Sequence, residues 1–598
     1  MLRERGQVFF MRHLTAALSA RIAPLILIAA CSPAAQTNNS RDDQAMQFIK
    51  QHEAVVKPLE IEVNLSGWDA ELTGREEAYA KKQAAEEKLD LALADPKKFA
   101  ELKAIRDRGV ADPMLARQID VVYRQYLARQ IPPDLLKQIS AKENEIQRKF
   151  TIHRPKLDGR EITDNELRRI LAESRDSAEL RAAWEASKQV GPVVADDLAE
   201  LIALRNEAAR KLGFDDYHAM RLFLNEQNRG QMTALFDELD ELTRGPFFEA
   251  KAEIDAALAA RCGIEVAELR PWHYQDPFFQ DVPAMPGALP ESVYKSLDTV
   301  EVCREFYAGI GLPVDGILAR SDLYEKPGKN PHAFCTDIDR SGDVRIFQNI
   351  VPGREWLTTS MHELGHAVYS ENIGNTAGLD SSGHHPGCCP PPEVVPAALG
   401  ELPYVLRNDA HTFVTEGVAM MFDRFPLNVD WLAAIGAEVE NPDEYRAAMA
   451  EQLRLRMLIF ARWAQVMYRF EMALYENPDR DLNRLWWDLV EKYQGLARPE
   501  GRDAPDFAAK YHIVGAPAYY HNYMLGEMFA SQLHHAIIKS LRPGTKPAGA
   551  IYAGDRRAGE FLVRRVFAPG MSIEWNEFVR RATGEELSPK AFAADIVP

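Results

Sequence analysis

The stretch DSAELRAAWEASKQVGPVVADDLAELIALRNEAARKL, Asp176–Leu212, sets the fold class. Its apolar residues recur three and four apart, as at Leu198, Leu201 and Ile202, and it is rich in Ala, Glu, Lys and Leu, the period and composition of amphipathic helix. Arg75–Leu93 reads the same way, and between about 46 and 260 no strand-like alternation competes. The expected fold is therefore all-α. Going outward, Pro271, Pro277, Pro283, Pro286 and Pro290 mark a loop-rich stretch. Between His332 and Asn349, Thr336-Asp337-Ile338 and Val344-Arg345-Ile346-Phe347 flank Ser341-Gly342-Asp343, which predicts one short hairpin. Helix resumes at Arg354 behind Pro352-Gly353; residues 371–393, crowded with Gly, Pro, His and Cys, read as a long surface loop, and the remainder is again helical.

The chain has 598 residues, 46% of them hydrophobic, with 71 Lys and Arg against 89 Asp and Glu for a net charge of −18. Core size is not limiting, and residues 46–598 read as a single domain. An acidic chain repels phosphate, and no basic stretch interleaved with aromatics offsets this, which argues against nucleic acid as a partner. With 35 Gly, 36 Pro and 6 Cys, the collagen-like, disulfide-scaffold and disordered classes drop out.

The N-terminus reads as an address. Arg3, Arg5 and Arg12 precede an apolar run, Ile22–Ala30, that ends in Ile28-Ala29-Ala30-Cys31-Ser32 and is too short for a permanent membrane span. Residues 1–30 are expected to be a signal peptide of the bacterial lipoprotein type, with Cys31 the lipidated first residue and the only attachment to a membrane. An ordinary cleaved signal is the alternative. Ser32 fits sorting to the outer membrane, so the expected location is periplasmic. Residues 31–45, polar and small, read as a tether. Cys262, Cys303, Cys335, Cys388 and Cys389 remain, an odd number that leaves at least one unpaired.

The chemistry centres on His362-Glu363-Leu364-Gly365-His366. On a helix, residues four apart share a face, so His362 and His366 aim two imidazoles at one ion while Glu363 projects beside them toward a water. Two surface histidines on an ordinary helix are the bland alternative; the apolar, helix-compatible flanks Trp356-Leu357 and Ala367-Val368-Tyr369 weigh against it. A catalytic zinc needs a third protein ligand and an open position. Glu393, Glu401 and Glu416 are the candidates. Glu416 is preferred because it lies in an apolar helical stretch, where a buried carboxylate needs a cation, and because Gly417 and Ala419 would let that helix approach the histidine helix. Glu393, behind three prolines, is the runner-up. His384-His385-Pro386-Gly387-Cys388-Cys389 matches no usual zinc spacing.

At this point the chain resembles the peptidyl-dipeptidase A family, the angiotensin-converting-enzyme-like zinc peptidases, in a bacterial form. The resemblance rests on Leu485-Trp486-Trp487-Asp488-Leu489-Val490-Glu491-Lys492-Tyr493-Gln494-Gly495-Leu496, on Ala509-Lys510-Tyr511-His512-Ile513, on Tyr519–Ile537, on Pro331-His332-Ala333 and on Leu212–Tyr217. It covers roughly residues 150–540 and is densest after 330. It implies a two-halved, ellipsoidal, nearly all-helical gluzincin with a deep cleft roofed by N-terminal helices, open to flexible oligopeptides and closed to folded proteins. It also implies one zinc per chain on His362, His366 and Glu416, with Glu363 as general base and His512 and Tyr523 stabilising the oxyanion. Lys510, with Tyr520, would hold the substrate's C-terminal carboxylate, and His332 and Ala333 its backbone.

Departures from the family pattern are informative. His362 and Glu416 stand 54 positions apart, farther than in animal members, so residues 371–411 read as an insertion near the cleft. Val490 and Asn522 replace arginines of chloride-dependent members, so chloride activation is not expected. Met420 stands where an aspartate usually orients a zinc histidine, which leaves the residue orienting His362 open, Asp423 being one candidate. The expected activity is release of C-terminal dipeptides. An oligoendopeptidase or monocarboxypeptidase with the same zinc chemistry, and a silent peptide-binding lipoprotein, are the alternatives.

Overall fold

The computed structural model describes residues 33–283, 289–375 and 402–597. The signal peptide, Cys31, the alternative ligands Glu393 and Glu401, and the His384–Cys389 cluster lie outside the described residues.

Among the described residues the fold is all-helical apart from two antiparallel two-stranded pairs. The quoted stretch forms two helices, Ser177–Ser187 and Val190–Lys211. Asp176 caps the first by accepting from the Ala178 and Glu179 amides. The chain breaks at Lys188-Gln189, and Gly191 follows where a Cβ would meet the Pro505 carbonyl oxygen at 2.5 Å. That second helix therefore crosses the Pro505 loop at a distance only glycine permits.

The predicted hairpin is present, Phe334–Asp337 pairing with Val344–Phe347 in the register Phe334 to Phe347 and Asp337 to Val344. The other pair, Lys156–Leu157 with Arg160–Glu161, had no signal in the sequence beyond Asp158-Gly159. Helix Arg354–Glu371 begins where the Pro352-Gly353 break places it.

Two apolar cores organise the described residues. The larger runs through the motif helix and helices Thr412–Asp423, Pro442–Glu476 and His521–Leu541; the smaller lies among the N-terminal helices and is joined by Leu402, Val405 and Leu406. The first helix, Pro33–Thr73, takes in most of the stretch expected to be a tether, and Ala45 within it is fully buried. Farther along, this helix lies on the hairpin. The Trp68 ring meets Phe334 and Phe347 edge-on at 6.0 and 5.5 Å, and the Asn64 amide donates to the Asp337 and Ile338 carbonyls at 3.2 and 3.1 Å.

Helix Thr412–Asp423 is wedged between the motif helix and His521–Leu541. A Cβ on Gly365, inside the histidine motif, would meet Ala419 Cα at 2.8 Å, so the glycine of the motif sets the helix crossing. Ala419 thus faces the histidine helix as expected, but Gly417 does not. Its Cβ would meet the Gly526 carbonyl at 2.8 Å on the opposite side, because residues two apart on a helix point in different directions. Among the described residues no helix is long and apolar enough to cross a membrane.

Candidate metal centre

Two helices supply the centre. His362 and His366 leave the motif helix one turn apart, with Nε2 atoms 3.1 Å from each other and rings nearly perpendicular. Glu416 arrives from the neighbouring helix, Oε2 3.8 Å from His362 Nε2, and the three ligand atoms all lie within 4.8 Å of one another. Ligands about 2.0–2.2 Å from a tetrahedral zinc stand roughly 3.3 Å apart, so the donor set and its spacing fit that ion. Both histidines also have their far nitrogens engaged, as metal-binding imidazoles require. His362 Nδ1 is 3.2 Å from Asp423 Oδ2, and His366 Nδ1 is 2.7 Å from Thr415 Oγ1. Asp423 thus makes a carboxylate contact with His362 that Met420 cannot make. It lies seven residues after Glu416 on the same helix, two turns on and hence on the same face.

Glu363 is 8% exposed beside the cluster. Burial pushes its carboxyl up to about 7, with the His362 charge working against the rise and Glu416 adding to it. A carboxylate poised there accepts a proton near neutral pH.

The opposite wall comes from the segment after the Trp-Trp helix. His512 and Tyr523 are half-buried, their ring centroids 6.5 Å apart. Burial, with the Lys510 charge adding, lowers His512 to about 4, and burial with the Glu416 charge raises Tyr523. Both are therefore neutral hydrogen-bond donors at neutral pH. The Tyr519 hydroxyl donates to Glu416 Oε1 at 3.3 Å, a contact the sequence did not signal because Tyr519 is simply the first of two adjacent tyrosines.

Lys510 is 7% exposed and donates from Nζ to Gln280 Oε1 at 2.6 Å. Its ammonium also lies 5.2–5.4 Å from the ring centres of Trp463, Phe278 and Tyr520. Tyr520 is buried next to it, its oxygen accepting from Trp463 Nε1 at 2.8 Å, so its own proton remains to be donated. Gln280 had no sequence signal, since 230 positions separate it from Lys510.

On the hairpin side, His332 is exposed and its amide donates to Asn330 Oδ1, while Ala333 stands directly before the first strand. The following Cys335 lies near enough to feel the Glu363, Asp409 and Asp337 charges, and burial raises its thiol well above the usual range. Cys262, Cys303 and Cys335 are all free.

An all-helical fold with a two-histidine, one-glutamate cluster defines a class, the helical metallopeptidases that carry their histidines on one helix. The sequence model of the Peptidase_M2 family, described as Angiotensin-converting enzyme, matches residues 39–246 and 401–594, more than half of the chain, and the chain belongs to that family. The histidine motif falls in the interval between the two matched stretches. Among curated relatives, the Angiotensin-converting enzyme of Mesocricetus auratus is 23% identical over 598 residues, covering 93% of this chain and 43% of that protein. That of Theromyzon tessulatum is 22% identical over 467 residues, 73% of this chain and 71% of that protein. The Angiotensin-converting enzyme-like protein Ace3 of Mus musculus is 23% identical over 473 residues, 72% of this chain and 59% of that protein. The chain thus spans less than half the length of the Mesocricetus auratus relative.

Proposed function

We propose that this protein is an exported zinc peptidyl-dipeptidase that releases dipeptides from the C-termini of oligopeptides. The observation that carries the reading is the convergence of His362, His366 and Glu416 within 4.8 Å, with Glu363 buried beside them. His362, His366 and Glu416 would hold the zinc ion, which would supply Lewis-acid polarisation of the scissile carbonyl and of the attacking water. Glu363 takes the proton of the attacking water and passes it to the leaving amine. Tyr523 and His512 donate hydrogen bonds where negative charge grows on the carbonyl oxygen. Lys510, fixed by Gln280 and flanked by the Tyr520 hydroxyl, holds the substrate's terminal carboxylate, and its distance from the zinc ligands selects the bond that is cut. His332 and Ala333 steady the substrate backbone along the hairpin.

The carboxylate anchor separates this activity from internal cleavage. Paired peptides that differ only in a free or amidated C-terminus are the test: the amidated form loses most of its turnover, and equal cleavage of both forms refutes the carboxylate anchor.

The activity is independent of chloride. Position 490 is a buried valine, and Asn522, buried and neutral, accepts from the Gln227 side chain at 2.8 Å, so neither supplies a cation. Exchanging chloride for acetate at constant ionic strength leaves the rate unchanged; a strong rise with chloride contradicts this. Cys31 carries the lipid that attaches the protein to the outer membrane, facing the periplasm. A Cys31→Ser variant moves to the soluble fraction, and one that stays with membranes refutes the anchor.

A further inference from the structure

The two histidines of the centre are held differently. His362 meets a carboxylate directly, Asp423 Oδ2 at 3.2 Å, whereas His366 meets a hydroxyl, Thr415 Oγ1 at 2.7 Å. An imidazole that offers Nε2 to a metal carries its proton on Nδ1, so His366 donates and Thr415 accepts. A hydroxyl that accepts still has its own proton to give. The Asp409 side chain, in the segment leading into the same helix, lies near enough to Thr415 for the hydroxyl to favour its charged form, and the charged groups facing it, Asp337 and Glu416, are both acidic. Asp409 Oδ1 is buried without a hydrogen-bond partner. A carboxylate in such surroundings is costly unless positive charge lies close by. One hydroxyl and one imidazole separate it from the site of a divalent cation.

We propose that Thr415 is a positioning residue of the metal centre: its hydroxyl accepts the Nδ1 proton of His366 and donates to Asp409, fixing the tautomer and orientation that turn Nε2 toward the ion. The inference rests on the metal-site reading above and adds to it a relay on the His366 side, parallel to the direct contact of Asp423 on the other. One helix then governs the whole centre. It carries the ligand Glu416, the partner of His362 two turns later and the partner of His366 one residue earlier.

The test is zinc affinity of the full-length protein, measured by competition with a chromophoric chelator, together with the visible spectrum of the cobalt-substituted form. Thr415→Val keeps the shape and removes the hydroxyl; it should weaken zinc binding about 10–100-fold and alter the cobalt spectrum. Thr415→Ser restores a hydroxyl and should bind within a few-fold of wild type, a rescue that a purely structural role does not predict. Asp409→Asn, which keeps an acceptor without the charge, should fall between them. If Thr415→Val does not fold without metal, Asp409→Asn carries the same test. A folded Thr415→Val protein with wild-type zinc affinity and an unchanged cobalt spectrum overturns the proposal, as does a Thr415→Ser protein that loses as much as Thr415→Val. A wild type that takes up no stoichiometric zinc overturns the metal-site reading itself, an outcome distinct from either.

Discussion

Tyr523 faces His512 across half-buried space, burial and the Glu416 charge raise its hydroxyl above the usual tyrosine range, and the role proposed for it rests on one proton. Tyr523→Phe removes that proton and little else. We expect kcat to fall about 10²–10³-fold with KM little changed, since the donor acts only where charge develops; steady-state kinetics with unaltered kcat would remove Tyr523 from the oxyanion site. Lys510 makes a prediction about pH. Burial lowers its ammonium to about 8, so it loses its proton well below the usual lysine range. In the proposed role the charged form holds the substrate carboxylate, so binding is expected to be intact below that pH and lost as pH rises through it. The pH profile of kcat/KM for a peptide with a free C-terminus should fall from near pH 8 upward, and Lys510→Met should abolish that limb along with most of the rate. A profile flat to pH 10 contradicts the role. At this scale the sequence was most legible where one helix turn relates the residues, as in His362, Glu363 and His366. Asp423 could be offered only as one candidate, being displaced by three positions from the place Met420 occupies. Thr415 and Gln280 were not legible at all, because a hydroxyl 49 positions from its imidazole and an amide 230 positions from its ammonium meet only through tertiary packing.

At the scale of elements, the crossing of the motif helix and helix Thr412–Asp423 decides whether ligands on two helices can share one ion. Gly365 allows it, the Cβ of any other residue meeting Ala419 Cα at 2.8 Å. Gly365→Ala gains helix propensity of about 1 kcal/mol but forces the helices apart at an overpacking cost of about 1–3 kcal/mol. The expected result is a lower Tm and a larger loss of zinc affinity than of stability, since Glu416 moves with its helix. Thermal melts with and without zinc check this, and a variant with wild-type affinity would show that the approach is not tight. Helix periodicity and the Pro352-Gly353 break placed the motif helix correctly from sequence. The orientation of Gly417 was misjudged because composition shows that a helix face is small without showing which neighbour it meets.

At the scale of the molecule, the N-terminal helices form a core of their own that touches the rest through Leu402, Val405 and Leu406 and through the first helix lying on the hairpin. Periodicity made the helical class legible; the way the first helix closes onto the hairpin was not, because Trp68 and Asn64 find Phe347 and Ile338 more than 270 residues away. Trp68→Ala should speed hydrogen exchange in Pro33–Thr73 and in the hairpin while leaving the motif helix protected; uniform acceleration everywhere would mean the two cores unfold as one. In the proposed activity the centre cuts peptides two residues at a time through Glu363. It is tested most directly by mass spectrometry of a synthetic nonapeptide with a free C-terminus, incubated with zinc-loaded protein beside the Glu363→Gln variant. Successive loss of two-residue units is expected with the wild type, and an intact peptide with the variant. Single internal cuts, or equal cleavage by both proteins, would contradict it.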